Sequence, residues 1–365
     1  MEIPEAEAEY LRAALTAAQA VSDYLRWMEQ VAEQLAPERS TRLAEETQRQ
    51  HGERLHTAAE TFRRCTAPEE LSGFGDRLRA GIGDAVESCD LFTSSPLVPP
   101  IARIPTILGA LHHLAQAQEQ LYPLRQALPP FNQHWAVPGM VVTDAPARRS
   151  SEETPGTGVV HVSAGGHHGG FSLYVPETYA DDRTWPVIVA LHGGSGNGRD
   201  FLWTWLREAK SFGYLLVAPT AVGATWSDVE DRGLLEILAW LGARYRVDDG
   251  RVLLTGLSDG ATFAVLYGLA HPDVYRALAP LCGVLHPANG PLGNMQRARD
   301  VPIYLVHGAL DFLFPVHLAH FTRDTLRGAG AALEYREVPE LSHTYPRSEN
   351  PRILRWFGNL PPRLR

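Results

Sequence analysis

One pentapeptide narrows the fold of this chain more than any other stretch: Gly256-Leu257-Ser258-Asp259-Gly260. It follows directly on an apolar run, residues 251–255, that reads as a strand. It leads directly into residues 261–270, which read as a helix. A turn that passes from strand to helix this abruptly leaves no room for side chains at its flanks, hence glycine at 256 and 260. The serine between them is lifted above the sheet edge, at the positive end of the following helix. Such a turn belongs to a layered α/β domain rather than to an all-helical or all-β one.

A serine hydroxyl is a weak nucleophile that needs a base, and the base needs an orienting carboxylate. In folds with this turn, the acid and then the histidine follow in chain order, each after a later strand. Val306-His307-Gly308-Ala309-Leu310-Asp311 puts a carboxylate just after a strand, with Pro315 closing the loop. Leu341-Ser342-His343-Thr344-Tyr345-Pro346 puts a histidine just after the next. We therefore read Ser258, Asp311 and His343 as nucleophile, acid and base. Asp324 falls in a predicted helix and Asp300 precedes a strand, so both are poorer acids. His317 and His320 read as helical, His112 and His113 point to divergent faces, and His307 reads as a structural strand-end residue. His161, His167 and His168 surround a hairpin, where no metal site is expected.

Upstream, Leu191-His192-Gly193-Gly194-Ser195-Gly196-Asn197-Gly198 follows another apolar strand. Glycines there let backbone N–H groups approach a developing oxyanion. The amides of Asp259 and Gly194 are the expected donors, with Ser195 as the alternative second donor. The loop lacks the Gly-Lys-Ser/Thr ending of a phosphate loop and the spacing of a dinucleotide fingerprint. Trp226, Leu313, Phe314 and Tyr345 are predicted on loops facing the mouth of this site, as apolar walls for a substrate. No cofactor is called for.

The halves of the chain differ in grammar. Residues 1–145 read as four amphipathic helices with short connections, an antiparallel bundle. In the first, Leu11, Ala14, Ala18, Val21, Leu25, Met28, Ala32 and Leu35 form one stripe, flanked by Leu15, Tyr24, Trp27 and Val31. That surplus, with Phe131, Trp135, Val137, Met140 and Val141 after the fourth helix, predicts that the bundle docks on the catalytic domain or on a second copy. Self-association is favoured, and a lid over the Ser258 pocket is the alternative. Residues 146–157 read as a linker. Residues 158–365 alternate strands with helices, which predicts a mostly parallel sheet covered on both faces.

Taken together and in this order, these residues resemble the α/β-hydrolase superfamily. Within it they resemble the carboxylesterase/phospholipase group and the polyhydroxybutyrate-depolymerase-like and feruloyl esterases. The likeness spans roughly residues 159 to 358 and excludes the helical half. It implies a serine carboxylesterase that cleaves small-molecule esters through an acyl-enzyme, and the lack of a long, lipase-like apolar lid in the catalytic half points to short or medium acyl chains. A polyester or feruloyl-type esterase or a peptidase with the same triad is the alternative, and a noncatalytic binding protein on the same fold is a further one.

Composition excludes other classes. Asp and Glu number 42 against 33 Lys and Arg, a net charge of −9 that argues against a nucleic-acid partner. Three scattered cysteines make no disulfide scaffold or zinc site. No apolar run approaches a membrane span, and the acidic start lacks a signal-peptide pattern. The expected location is the cytoplasm.

Overall fold

The structure, a computed structural model, describes residues 4–143, 145–149, 156–162 and 169–361. Residues 150–155 of the expected linker, and His167 and His168, lie outside the described residues. Contacts divide the chain into two compact units, with the break between Ala136 and Val137.

The first unit is helical: α1 (Glu5–Gln34), α2 (Ser40–Thr47), α3 (Glu53–Arg64), α4 (Ser72–Ser94), α5 (Pro100–Leu121) and the short α6 (Pro129–His134). A single π turn, Gln48–Gly52, joins α2 to α3, so the expected second helix runs on with a defect in its middle. Alanines at 13, 14, 17, 18 and 20 on the buried face of α1 let neighbouring helices approach closely. α1 packs on α3, α4 and α6, and α4 packs along α5. A buried polar chain crosses these layers. Ser88 Oγ donates its one proton to Ala110 O (2.8 Å), so Tyr24 Oη must be the donor to Ser88 (2.9 Å).

Most of the apolar surplus of α1 is buried, although Leu15 is exposed. Tyr24 and Val31 are buried, and Trp27 Nε1 donates to Thr47 Oγ1 (2.8 Å). Phe131, on α6, and Trp135, directly after it, were expected to reach towards the other domain. They are buried beside Tyr122, whose ring meets Trp135 at 5.0 Å. Exposed apolar groups occur elsewhere, at Leu97 and at Ile101, Ile104 and Leu108 on the first turns of α5.

The second unit is built on one eight-stranded sheet. Its strands are β1 (Gly158–Val162), β2 (Phe171–Val175), β3 (Trp185–Leu191), β4 (Leu215–Pro219), β5 (Val247–Leu257), β6 (Ala277–Leu281), β7 (Pro302–Gly308) and β8 (Ala332–Val338). The spatial order is β1-β2-β4-β3-β5-β6-β7-β8, with β1–β2 and β2–β4 antiparallel and all other pairs parallel. Helices α7 (Gly198–Phe212), α8 (Asp231–Gly242), α9 (Asp259–Ala270), the one-turn α10 (Asn294–Arg297), α11 (Val316–Gly328) and α12 (Asn350–Asn359) connect or follow the strands.

Strand period decides which helix covers which face. Val187, Val189, Leu191, Val252 and Leu254 share a core with Leu234 and Ile237 of α8 and with Phe263 and Tyr267 of α9. The alternate residues Ile188, Ala190, Leu216 and Leu253 are equally buried but belong to the other face. α7 packs on β2, β3 and β4, contributes nothing to the first core, and carries α12 against it. Local sequence places α7 well. Asn197 Oδ1 accepts the Asp200 N–H (2.8 Å) as its N-cap, and Gly213 ends it in the left-handed region at φ 74°. The chain leaves β3 towards β4 on one side and returns to β5 on the other. The carboxyl ends of β3 and β5 therefore flank the switch point where open α/β sheets form their crevice.

Candidate active site

Ser258 stands at that switch point, between the end of β5 and the start of α9. Its backbone is held at φ 56°, a region that costs a non-glycine residue about 1–3 kcal/mol. Packing leaves no easier route. A Cβ on Gly256 would lie 2.5 Å from the Gly260 carbonyl, and one on Gly260 would collide with the carbonyls of Leu191 and His192. These two glycines thus draw β5 and α9 against the end of β3.

His343, on the loop after β8, reaches back to the serine. Its Nε2 lies 2.8 Å from Ser258 Oγ and its Nδ1 lies 2.8 Å from Asp311 Oδ2. A carboxylate only accepts, so Nδ1 carries the proton and Nε2 is left to accept from the Ser258 hydroxyl. The Asp311 side chain is fully buried after β7. Its Oδ1 accepts the N–H groups of Leu313 (3.0 Å) and Phe314 (2.7 Å), which folds the following loop around the carboxylate.

The structure adds a residue next to the acid that sequence reading left as a plain strand end. His307, wholly buried on β7, donates from Nε2 to Phe314 O (2.8 Å), and the same nitrogen lies 3.4 Å from Asp311 Oδ2. Burial holds its pKa below the ordinary value, against the raising influence of the Phe314 carbonyl and Asp311. The spacing His307–Asp311 was visible in the sequence, but the partner Phe314 O depends on how the loop closes.

On the other side, the loop after β3 is braced by His192. Its Nε2 accepts the Ala221 N–H (3.0 Å) and its Nδ1 donates to Gly193 O (2.6 Å), so this buried ring is neutral. Burial again lowers its pKa, opposed by the Gly193 carbonyl, Asp259 and Asp200. Ser195 N donates to Ala224 O (2.7 Å), which occupies the alternative donor. Among the described residues the amides of Gly194 and Asp259 donate to no protein acceptor.

The predicted walls divide. Trp226 is not at the mouth. It is 6% exposed, stacks on Phe263, donates from Nε1 to His192 O (2.8 Å) and takes Asp259 Oδ2 on its backbone N–H (2.8 Å). A buried indole needs an acceptor for its N–H, and the end of β3 supplies one. Tyr345 also turns inward, with its hydroxyl donating to Asn350 Oδ1 (2.8 Å) and its ring against Phe201. Burial raises that phenol's pKa. Leu313 is exposed, and the Phe314 ring meets His343 edge-on at 5.2 Å. Phe312, which sequence reading passed over, is exposed with its ring 6.5 Å from that of His343.

The strand order, the elbow and the Ser258–His343–Asp311 relay together decide the class. The second unit has the α/β-hydrolase fold. Residues 236–355, which hold all three relay residues but not the glycine loop after β3, match the family described as Phospholipase/Carboxylesterase. Feruloyl esterase B of Talaromyces stipitatus is 27% identical over 127 residues, 31% of this chain and 35% of that protein. Acetylxylan esterase A of Aspergillus awamori is 23% identical over 131 residues, 32% of this chain and 42% of that protein. The chain thus matches well under half of either relative. Among solved structures, a thermostable esterase shares 21% identity with a TM-score of 0.47, over 55% of this chain and 62% of its own. Among the described residues no helix is long and apolar enough to cross a membrane.

Two neutral, buried histidines give this second unit an acid-sensitive core. As pH falls through about 6.5, the unfolded chain protonates His192 and His307, while the folded chain resists until its lowered pKa values are reached. Their contribution to stability is complete above that pH and lost as pH falls below it. We expect the thermal midpoint of the full chain to drop between pH 7 and pH 5, and His307→Gln to flatten that drop. An unchanged slope in the variant would remove His307 from the account.

Proposed function

We propose that the chain is a serine carboxylesterase acting on small-molecule esters with short to medium acyl chains. The observation that carries this reading is the unbroken relay from Asp311 through His343 to Ser258, 2.8 Å at each step. His343 Nε2 takes the Ser258 proton as Oγ attacks the ester carbonyl. The carbonyl oxygen becomes an oxyanion facing the amides of Gly194 and Asp259. Collapse breaks the bond to the alkoxy oxygen, which leaves with the proton from His343. Water, deprotonated by the same imidazole, then attacks the acyl-enzyme, releasing the acid and returning the proton to Ser258. The family match and the esterase relatives support an ester, rather than a peptide, as the bond cleaved.

Acyl preference is tested with p-nitrophenyl acetate, butyrate and palmitate, alongside a peptide and a polyester. We expect kcat/KM to be highest for the short and medium esters, since no long apolar lid segment lies among the described residues of the catalytic half. A preference for palmitate, or faster cleavage of the peptide, would overturn this reading. Self-association through the helical unit is a separate proposal. Its support rests on exposed Leu97, Ile101, Ile104 and Leu108, with Leu15 alone of the flanking residues of α1.

A further inference from the structure

The loop between β7 and α11 exposes large apolar groups beside the candidate base. Phe312 is 57% exposed and Leu313 55%. Backbone hydrogen bonds hold the loop that carries them. Leu310 N donates to Leu341 O (3.0 Å), and Asp311 N to Gly308 O (3.3 Å). Leu313 N and Phe314 N are spent on Asp311 Oδ1, and Phe314 O accepts from His307. With every turn of the loop pinned, the two side chains are held out in water at a fixed position. A rigid, exposed apolar surface next to a reacting group usually marks a contact for ligand.

The chemistry says which part of a substrate would meet it. This step rests on the serine-esterase reading. The leaving oxygen must receive its proton from His343 Nε2, so the alcohol portion of the ester passes over the imidazole. The acyl portion is tied to Ser258, with its oxygen turned to the Gly194 and Asp259 amides. Phe314 and Phe312 are the rings packed against His343, at 5.2 Å and 6.5 Å, and of the two only Phe312 is freely exposed. The sole charge on residues 309–315, Asp311, is buried beneath them.

We propose that Phe312, supported by Leu313, is a specificity-determining residue that binds the alcohol moiety and selects esters of apolar aryl or alkyl alcohols. Selectivity for the alcohol is then set on the acid loop, separately from acyl preference.

The test holds the acyl group constant. Benzyl acetate is compared with 2-methoxyethyl acetate, whose alcohols ionise similarly but differ in apolar surface, using the full chain. The native chain is expected to favour the benzyl ester in kcat/KM by on the order of tenfold. Phe312→Ser should abolish that preference mainly through KM, and Phe312→Leu should restore part of it. Deacylation of the shared acetyl-enzyme, which no longer contains the alcohol, is the internal reference for each variant. Retention of the benzyl preference in Phe312→Ser would overturn the inference. So would a change confined to acyl-chain preference, which would put the wall on the acyl side. Failure of the native chain to react with either ester or with a fluorophosphonate would instead overturn the esterase reading itself.

Discussion

Ser258→Ala is expected to abolish covalent labelling by a fluorophosphonate and to lower kcat/KM for p-nitrophenyl acetate by on the order of 10³-fold or more. The substitution removes the hydroxyl that is hydrogen-bonded to His343 Nε2. It leaves the amides of Gly194 and Asp259 in place, so a small residual rate over water is expected from them. Folding should survive. The left-handed backbone at 258 is imposed by the closeness of Gly256 to Gly260, and alanine bears that strain about as well as serine does. A thermal midpoint close to that of the native chain would separate lost chemistry from lost structure. Labelling that persists in the variant would place the nucleophile elsewhere and remove the basis for the relay.

The features most legible in the sequence were those enforced by short-range sterics. The glycines at 256 and 260 marked the elbow because no Cβ fits between β5, α9 and the end of β3. The buried strands that end at Leu191, Leu257 and Gly308 were also legible, because apolar runs bounded by turns carry their own signal. Their lateral order was not, since nothing local tells β3 to lie between β4 and β5. Trp226 was misplaced for a related reason. Its burial depends on the His192 carbonyl and the Asp259 carboxylate, which arrive from the end of β3 and the start of α9. The surplus apolar face of α1 was real, but a helix touching α3, α4 and α6 needs a wider apolar face than one seam requires. His307 looked like a structural residue and His192 was read only as part of its glycine loop, and their roles emerged only with the loops that they brace.

The second large effect is expected at the acid. Asp311→Asn should lower kcat by about 10⁴-fold while leaving the fold intact. The buried carboxylate accepts on both oxygens: two backbone N–H groups at Oδ1, His343 Nδ1 at Oδ2, with His307 Nε2 close by. An amide has only one oxygen to offer. If that oxygen faces His343, the NH₂ points at the N–H groups of Leu313 and Phe314, and two buried donors lose their acceptor at about 1–3 kcal/mol each. The amide should therefore turn the other way, with oxygen on the loop and NH₂ towards His343. Nδ1 must then accept, which moves the imidazole proton to Nε2, and a protonated Nε2 cannot take the Ser258 proton. The loss should therefore appear in kcat, with fluorophosphonate labelling slowed in proportion and the thermal midpoint nearly unchanged. Turnover close to that of the native chain would mean that Asp311 is not the orienting acid, and Asp324 or Asp300 would then have to be tested in its place.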